Sequence, residues 1–394
     1  MREKLMEMLD ARKEEMIEIR RYLHAHPELS YQEDETAAYI AAFYQDKEVD
    51  LATHVGGNGI IVTIKGDKPG ETLALRADFD ALPIEEETGL PFQSKNKGVM
   101  HACGHDAHTA YLMILADCLI ELKSEIPGTI KIIHQHAEEA PPGGAKFIME
   151  TGALKEVDHI IGIHVFPDRP VGEVAYRSGA AMAGGSQFKL VIQGTGGHAS
   201  TPHKSNDAIV AGSYFVTALQ TVISRRLDPF QVGTVTVGSF DGKGAFNVIK
   251  DTVTIEGDMR YMEEATFEVL NREVARLAAG LQEMFAVETT LTVEEGCPPV
   301  YNEPELTSSV VDYLKNGVGD YLMEVVEAPM QTGNEDFAYY SQQIPGCFFF
   351  VGSWPNGVEK PYNNHHPKFD ISEEAILIAA KAVGDVVCGY FALD

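Results

Sequence analysis

The densest chemistry in the sequence lies in Met100-His101-Ala102-Cys103-Gly104-His105-Asp106-Ala107-His108, which sets three imidazoles, a thiol and a carboxylate within eight positions. These are the donor types that hold borderline divalent ions, and the small Gly104 lets Cys103 and His105 face one ion. A closed structural zinc site would add a second ligand pair at short spacing, such as CxxC, which the chain lacks. The competing reading of these residues is a histidine-rich turn with hydrogen-bonded rings. A second cluster, His134-Gln135-His136-Ala137-Glu138-Glu139, follows the run Ile130 to Ile133, so it sits where a strand leaves a sheet. Adjacent carboxylates there point different ways, and one can bind metal while its neighbour handles a proton. Taken alone, His164 inside Ile160-Ile161-Gly162-Ile163-His164-Val165 reads as a core histidine, and His365-His366 as a surface pair.

Elements of defined type must carry these clusters. The apolar spacing of Leu5, Met8, Leu9, Met16, Ile19 and Leu23 predicts a helix over 5–23 that stops at His26-Pro27, and a second helix follows over 34–45. Strands are predicted over 59–65 and 72–79, joined by a Gly-Asp-Lys-Pro-Gly turn, and the second strand ends in Asp78 and Asp80. Helix 105–122, strand 129–136, helix 144–154 and strand 159–166 follow. This alternation makes the first half α/β with a partly parallel sheet, whose reactive groups belong at the carboxyl ends of the strands. From about 185 the order becomes strand 188–194, helix 205–226, strand 233–240, strand 251–261, helix 263–284 and strand 287–294. That is βαββαβ, the ferredoxin-like unit, complete in itself and so expected as an insertion. The expected domains are 1–184 with 297–394, ending in an apolar helix over 373–391, and an inserted 185–296.

At 394 residues, 44% hydrophobic and 23% charged, the chain is long enough for two cores. Its 31 basic and 59 acidic side chains leave a charge of −28, which repels phosphate backbones and anionic lipid, so neither nucleic acid nor membrane is an expected partner. No stretch reaches the ~18 apolar residues of a membrane span, and residues 1–21 lack the pattern of a signal peptide, so a cytoplasmic protein is expected. Cys103, Cys118, Cys297, Cys347 and Cys388 are too few and scattered for a disulfide framework; apart from Cys103 they read as buried thiols.

RADFDALP (76–83), MHACGHDAH (100–108), AEE (137–139), GIHV (162–165), GGHAS (196–200), FNVI (246–249), GNEDFAYY (333–340) and HHPKFD (365–370), in this order, resemble the dinuclear metallopeptidase branch of aminoacylases, hippurate hydrolases and auxin-amino acid conjugate hydrolases. The resemblance implies a zinc-peptidase-like α/β catalytic domain, mixed-sheet, with the inserted unit as a lid that dimerises. It makes Cys103, His105, Glu139, His164 and His365 ligands of two divalent ions per subunit, manganese foremost, with zinc, nickel or cobalt as alternatives. Open coordination positions then leave room for a bridging water, with Glu138 as the general base. His198 matches a lid histidine that stabilises the oxyanion, commonly in the partner's site. Asn247 and Arg260 match contacts to a substrate carboxylate; a strand-surface ion pair is the other reading of Arg260. Asp80 orients a ligand imidazole, Asp78 is the other carboxylate of that strand end and carries no assigned role, and Glu335 and Asp336 shape the pocket without an assigned step. His136 and His134 depart from the family pattern, which has proline and an apolar residue there.

The expected reaction is metal-dependent hydrolysis of an N-acyl amino acid or related small amide, by a homodimer or homotetramer built through the lid. A dipeptidase or carboxypeptidase is the nearest alternative. A hydrolase using Cys103 as nucleophile and a non-catalytic metal- or peptide-binding protein are the rivals of other kinds.

Overall fold

The computed structural model describes residues 1–317 and 321–393, which divide into two compact units. The first comprises Met1–Ala181, Val300–Met330 and Asp336–Asp394, and the second Met182–Pro299 with Gln331–Glu335. Residues 331–335 lie beyond the expected insertion. They group with the second unit because Gln331 bridges to Met182 and its carbonyl accepts the Ala183 N–H at 3.0 Å.

An eight-stranded mixed sheet organises the first unit. Its order is Asp50–Val55, Gly59–Lys65, Pro127–Gln135, Lys68–Asp78, His159–Phe166, Gly346–Gly352, Glu173–Tyr176, Glu324–Glu327. The four central strands, from Pro127–Gln135 to Gly346–Gly352, run parallel. His159–Phe166 and Gly346–Gly352 are buried on both faces and read as continuous Ile, Val and Phe runs, whereas Pro127–Gln135 keeps half-buried Thr129 and Lys131 between Gly128, Ile130 and Ile132. The helix His105–Glu121 is apolar almost all round because it is buried almost all round, packed among the sheet and the helices Lys13–Ala25 and Glu374–Tyr390. All five cysteines are buried free thiols.

The single helix expected over 5–23 is two, Arg2–Ala11 and Lys13–Ala25. Arg12 breaks it with φ −108°, and its guanidinium is held by Glu15 and by Asp117 of another helix, both at 2.8 Å. The two halves then lean on different neighbours, the first chiefly on Glu374–Tyr390 and the second chiefly on His105–Glu121. Lys68–Gly70, expected within a turn, begins a strand, and the helix expected over 144–154 ends at Glu150.

The second unit is the expected βαββαβ. Its antiparallel sheet has the order Gly233–Asp241, Thr252–Tyr261, Gly184–Gln193, Glu288–Glu295. The helices Ala208–Arg226 and Glu264–Phe285 contribute Phe215, Leu219, Leu270 and Val274 to a core with Phe188, Leu190 and Ile255.

Beneath the carboxyl ends of the parallel strands lies a fully buried charge network. Arg76 bonds Asp78 at 2.6 Å, Asp336 at 2.8 Å and the Gln135 side-chain oxygen at 2.8 Å. Asp336 in turn accepts from the Gln135 amide and from the Ala145 N–H at 3.0 Å. Removing one partner of a buried ion pair leaves the others desolvated and unpaired. Arg76→Met is therefore expected to destabilise the protein by about 3–5 kcal/mol, measured as a fall in the urea midpoint of unfolding with an unchanged slope.

Candidate metal centre

Asp78 closes its strand and Asp80 lies two residues beyond. Glu138 and Glu139 follow Pro127–Gln135, His164 is within His159–Phe166, and His105 opens the helix His105–Glu121. The parallel sheet thus delivers donors from three strand ends and one helix N-terminus to one place. Cys103 reaches it through the turn at Gly104, whose φ is +92°. A side chain at that position would put its Cβ 2.5 Å from Val165 Cγ2, so the approach requires glycine. His365, in a loop with φ +67°, is held by its N–H to the Ala102 carbonyl at 2.7 Å.

These donors fall into two groups that share a sulfur. Ligand atoms of Cys103, His105 and His164 lie within 4.8 Å of one another, and so do those of Cys103, Glu139 and His365. The Cys103 Sγ is 3.3 Å from His164 Nε2, and Glu139 Oε1 is 3.3 Å from His365 Nε2. Glu138 stands beside them, its Oε2 4.0 Å from His105 Nε2. The ring tautomers follow from the outer hydrogen bonds. His105 Nδ1–H donates to the Asp80 carbonyl at 3.0 Å and its carboxylate at 3.2 Å; His164 Nδ1–H donates to the Val165 carbonyl at 2.8 Å. Each therefore turns an Nε2 lone pair toward Cys103. His105 Nε2 and Glu139 Oε1 are buried without hydrogen-bond partners, a state that a bound cation relieves, so the residues fit a two-cation site.

The electrostatics favour positive charge at this place: against the pull of burial, Asp78, Asp80 and Cys103 hold His105 well above the ordinary imidazole range. His365 is pushed up to about 10 by Cys103 and Glu139, and burial pushes the Cys103 thiol up. Burial drives His164 well below the ordinary imidazole range, leaving it a neutral donor.

Asp78, His105 and His108 form another compact group, but the lone pairs of Asp78 and His108 are spent. His108 Nδ1–H donates to Asp78 Oδ1 at 2.6 Å and its Nε2 accepts the Val165 N–H at 3.0 Å, while Asp78 Oδ2 holds Arg76. His108 instead braces the strand that carries His164. Asp80 accepts from Ser30 Oγ at 2.7 Å and from the Glu139 N–H at 2.9 Å besides holding His105. Asp106 pairs with the buried Arg20 and His24, and Arg20 reaches Asp370 at 2.9 Å, tying the His365 loop to the helix Lys13–Ala25. The His101 ring is buried outside these donor groups, pushed down to about 4 by that burial.

His134 and His136 lie outside these donor groups. His134 Nε2 bonds the Tyr44 hydroxyl at 2.9 Å, and burial pushes it down to about 3. The His136 ring lies against Gly57, where a Cβ would fall 2.5 Å from its Nε2, and edge-on to Tyr31. Asp336 is the counter-ion of Arg76, an assignment the sequence did not offer.

His198, Asn247 and Arg260 belong to the second unit. There Gly197–His198 pairs with Val248–Ile249, and His198 and Asn247 line one shallow pocket. The His198 Nδ1 accepts from Ser200 Oγ at 2.7 Å and Ser200 N–H at 3.1 Å. Arg260 projects from Thr252–Tyr261 and its Nε bonds Asp258 at 2.8 Å. Ser30, Tyr31 and Glu33, which contact the carboxylate-bearing loop or Asp80, were missed; a lone Ser-Tyr-x-Glu carries no signal of a partner about a hundred residues away.

Residues 74–388 match the peptidase family M20/M25/M40. The chain is 39% identical over 372 residues to an N-acetyl-L-cysteine deacetylase of Bacillus subtilis, covering 94% of this chain and 87% of the relative. It is 55% identical to a chain of known crystal structure from methicillin-resistant Staphylococcus aureus, with a TM-score of 0.95 over 99% of this chain and 100% of that one. A dinuclear metal binding peptidase from the M20 family, the Bacillus subtilis YXEP protein, is 32% identical with a TM-score of 0.83, covering 98% and 100%. With two donor groups meeting at Cys103 and these likenesses over nearly its full length, the chain belongs to peptidase family M20/M25/M40 and is a metal-dependent amidohydrolase.

Proposed function

We propose that the protein hydrolyses the amide bond of N-acyl amino acids, releasing a carboxylate and a free amino acid. The observation that carries this reading is the pair of three-donor groups meeting at Cys103 with an extra carboxylate, Glu138, beside them. Cys103, His105, Glu139, His164 and His365 would hold the two cations, with manganese first and zinc, nickel or cobalt as alternatives, since mixed sulfur, nitrogen and oxygen donors do not rank them. When bound, such ions supply Lewis acidity and make water acidic enough to be deprotonated near neutral pH. Glu138 takes the proton of the attacking water and delivers it to the leaving amine. Asp80 keeps His105 in its Nδ1–H form.

His198 donates to the carbonyl oxygen as it gains charge, and Asn247 and Arg260 receive the substrate carboxylate. The clustering of His198 with Asn247 supports this grouping, while the Asp258 partner of Arg260 means that the guanidinium binds substrate through its remaining N–H groups. The small N-acyl substrate class rests on the deacetylase relative; a dipeptidase or carboxypeptidase is the second reading. A homodimer or homotetramer through the second unit is supported by the open edge of Gly233–Asp241 and by exposed Ile209, Val210, Tyr214, Phe230 and Phe240. No helix among the described residues is long and apolar enough to cross a membrane, and we assign the protein to the cytoplasm.

Chelation is expected to abolish hydrolysis and a divalent ion to restore it, read on a panel of N-acetyl, N-benzoyl and dipeptide substrates; full activity in protein shown metal-free by elemental analysis would refute the reading. Glu138→Gln should keep its metal while losing about 10²–10⁴ in kcat. If His198 serves the partner's site, co-expressing Glu138→Gln with His198→Ala restores about one quarter of the sites, because half of the dimers are mixed and each carries one intact pair. A histidine acting within its own subunit restores none.

A further inference from the structure

The carboxylate loop is held from one side by a short N-terminal segment. Ala137, the residue before Glu138, is fully buried and has φ +50°, a left-handed conformation that a non-glycine residue keeps only where its surroundings enforce it. Its N–H donates to Glu33 Oε1 at 2.9 Å, and its carbonyl accepts the Gly144 N–H at 2.9 Å. Glu33 Oε1 also accepts the Tyr31 N–H at 2.8 Å, and Oε2 accepts from Asn58 at 3.3 Å. Its neighbours press on the same loop: Tyr31 hydroxyl donates to the Ala140 carbonyl at 3.0 Å and accepts the Gly143 N–H at 3.1 Å. Ser30 bonds Asp80, which holds the Glu139 N–H.

Glu33 occupies the N-cap position of the helix Asp34–Tyr44, where a side chain ordinarily serves its own helix. It does not do so here. Glu28 takes that task, its Oε2 accepting the Thr36 N–H at 2.7 Å and the Thr36 hydroxyl at 2.8 Å. The Glu33 carboxylate is thereby released toward Ala137, at the expense of burying an anion whose named partners are neutral N–H groups. Burial and Asp80 push it up to about 7.

We propose that Ser30–Glu33 is a clamp on the carboxylate loop and that Glu33 is a positioning residue, holding Ala137 in its left-handed turn so that Glu138 faces the metal centre. This rests on Glu138 as the general base. The turn decides where the next side chain points, and an error of about 1 Å in a reacting group lowers turnover about 10²-fold.

The test uses the metal-loaded full chain with N-acetyl-L-cysteine as substrate, comparing Glu33→Ala, Glu33→Gln and Glu33→Ala with Ala137→Gly. Glu33→Ala is expected to lower kcat about 10²-fold with KM within about 2-fold and with metal content and folded fraction unchanged. Glu33→Gln retains an oxygen for the Ala137 N–H and should stay within about 3-fold of the parent. Glycine adopts the left-handed turn without enforcement, so Ala137→Gly in the Glu33→Ala background should recover at least about 10-fold. Parental kcat in Glu33→Ala, a Glu33→Gln variant as impaired as Glu33→Ala, or activity lost only in step with metal or folded protein would each overturn the clamp. If the single alanine variant does not fold, the double variant decides: recovered turnover supports the clamp, whereas a folded but inactive or an unfolded double variant overturns it. Glu138→Gln is assayed alongside. Full activity there removes the base assignment itself, whereas an inactive Glu138→Gln beside a fully active Glu33→Ala removes the clamp alone.

Discussion

Arg76 is fully buried between Asp78 and Asp336, and a guanidinium so placed must have every charge and N–H met. The bonds that meet them radiate into the metal centre. Through Asp78 they reach His108 and the Val165 N–H, next to His164. Through Asp336 and Gln135 they reach Ala145, at the far end of the loop that carries Glu138 and Glu139. The donors are thus held by a scaffold of paired charges laid across the ends of the parallel strands, a stiffer support than loops alone provide.

Above that scaffold the backbone departs from ordinary conformations where the chemistry lies. Gly104, Ala137 and His365 all have positive φ, and each adjoins or is a proposed ligand or base. Such conformations persist only where surrounding bonds enforce them. Gly104 is sterically required, His365 is tied to the Ala102 carbonyl, and Ala137 is gripped by Glu33 and Gly144. Outer hydrogen bonds similarly set the His105 and His164 tautomers and so direct their Nε2 lone pairs.

The N-terminal region also does more than cover the sheet. Arg20 and His24 neutralise Asp106 in the first turn of the helix that begins with His105, and Arg20 also holds Asp370 near His365. Glu28 and Glu33 divide the tasks of helix cap and loop clamp. The second unit is built independently around its own core, and its pocket with His198 and Asn247 is formed by local strand pairing.

Much of this was legible in the chain. The alternating strands and helices announced a mixed α/β unit, the βαββαβ order of the second unit was readable to within a few residues, and the clusters at 101–108 and 134–139 stood out by donor type. Those features are local: side-chain periodicity and dense ligand chemistry are written within a few turns or one strand. The break at Arg12 was not legible, because Asp117 helps to hold it across 105 residues. Nor were the short outer strands Asp50–Val55, Glu173–Tyr176 and Glu324–Glu327, which have little apolar periodicity to display. Glu33 bonds Ala137 across 104 residues and Arg76 bonds Asp336 across 260, and nothing in either neighbourhood names its partner. By itself the sequence determined which residues could do chemistry and which elements would carry them. The tertiary structure decided which donors share a sulfur, which ring nitrogen is free and which buried charge answers which, because desolvation enforces such pairings only once the chain has brought distant groups together.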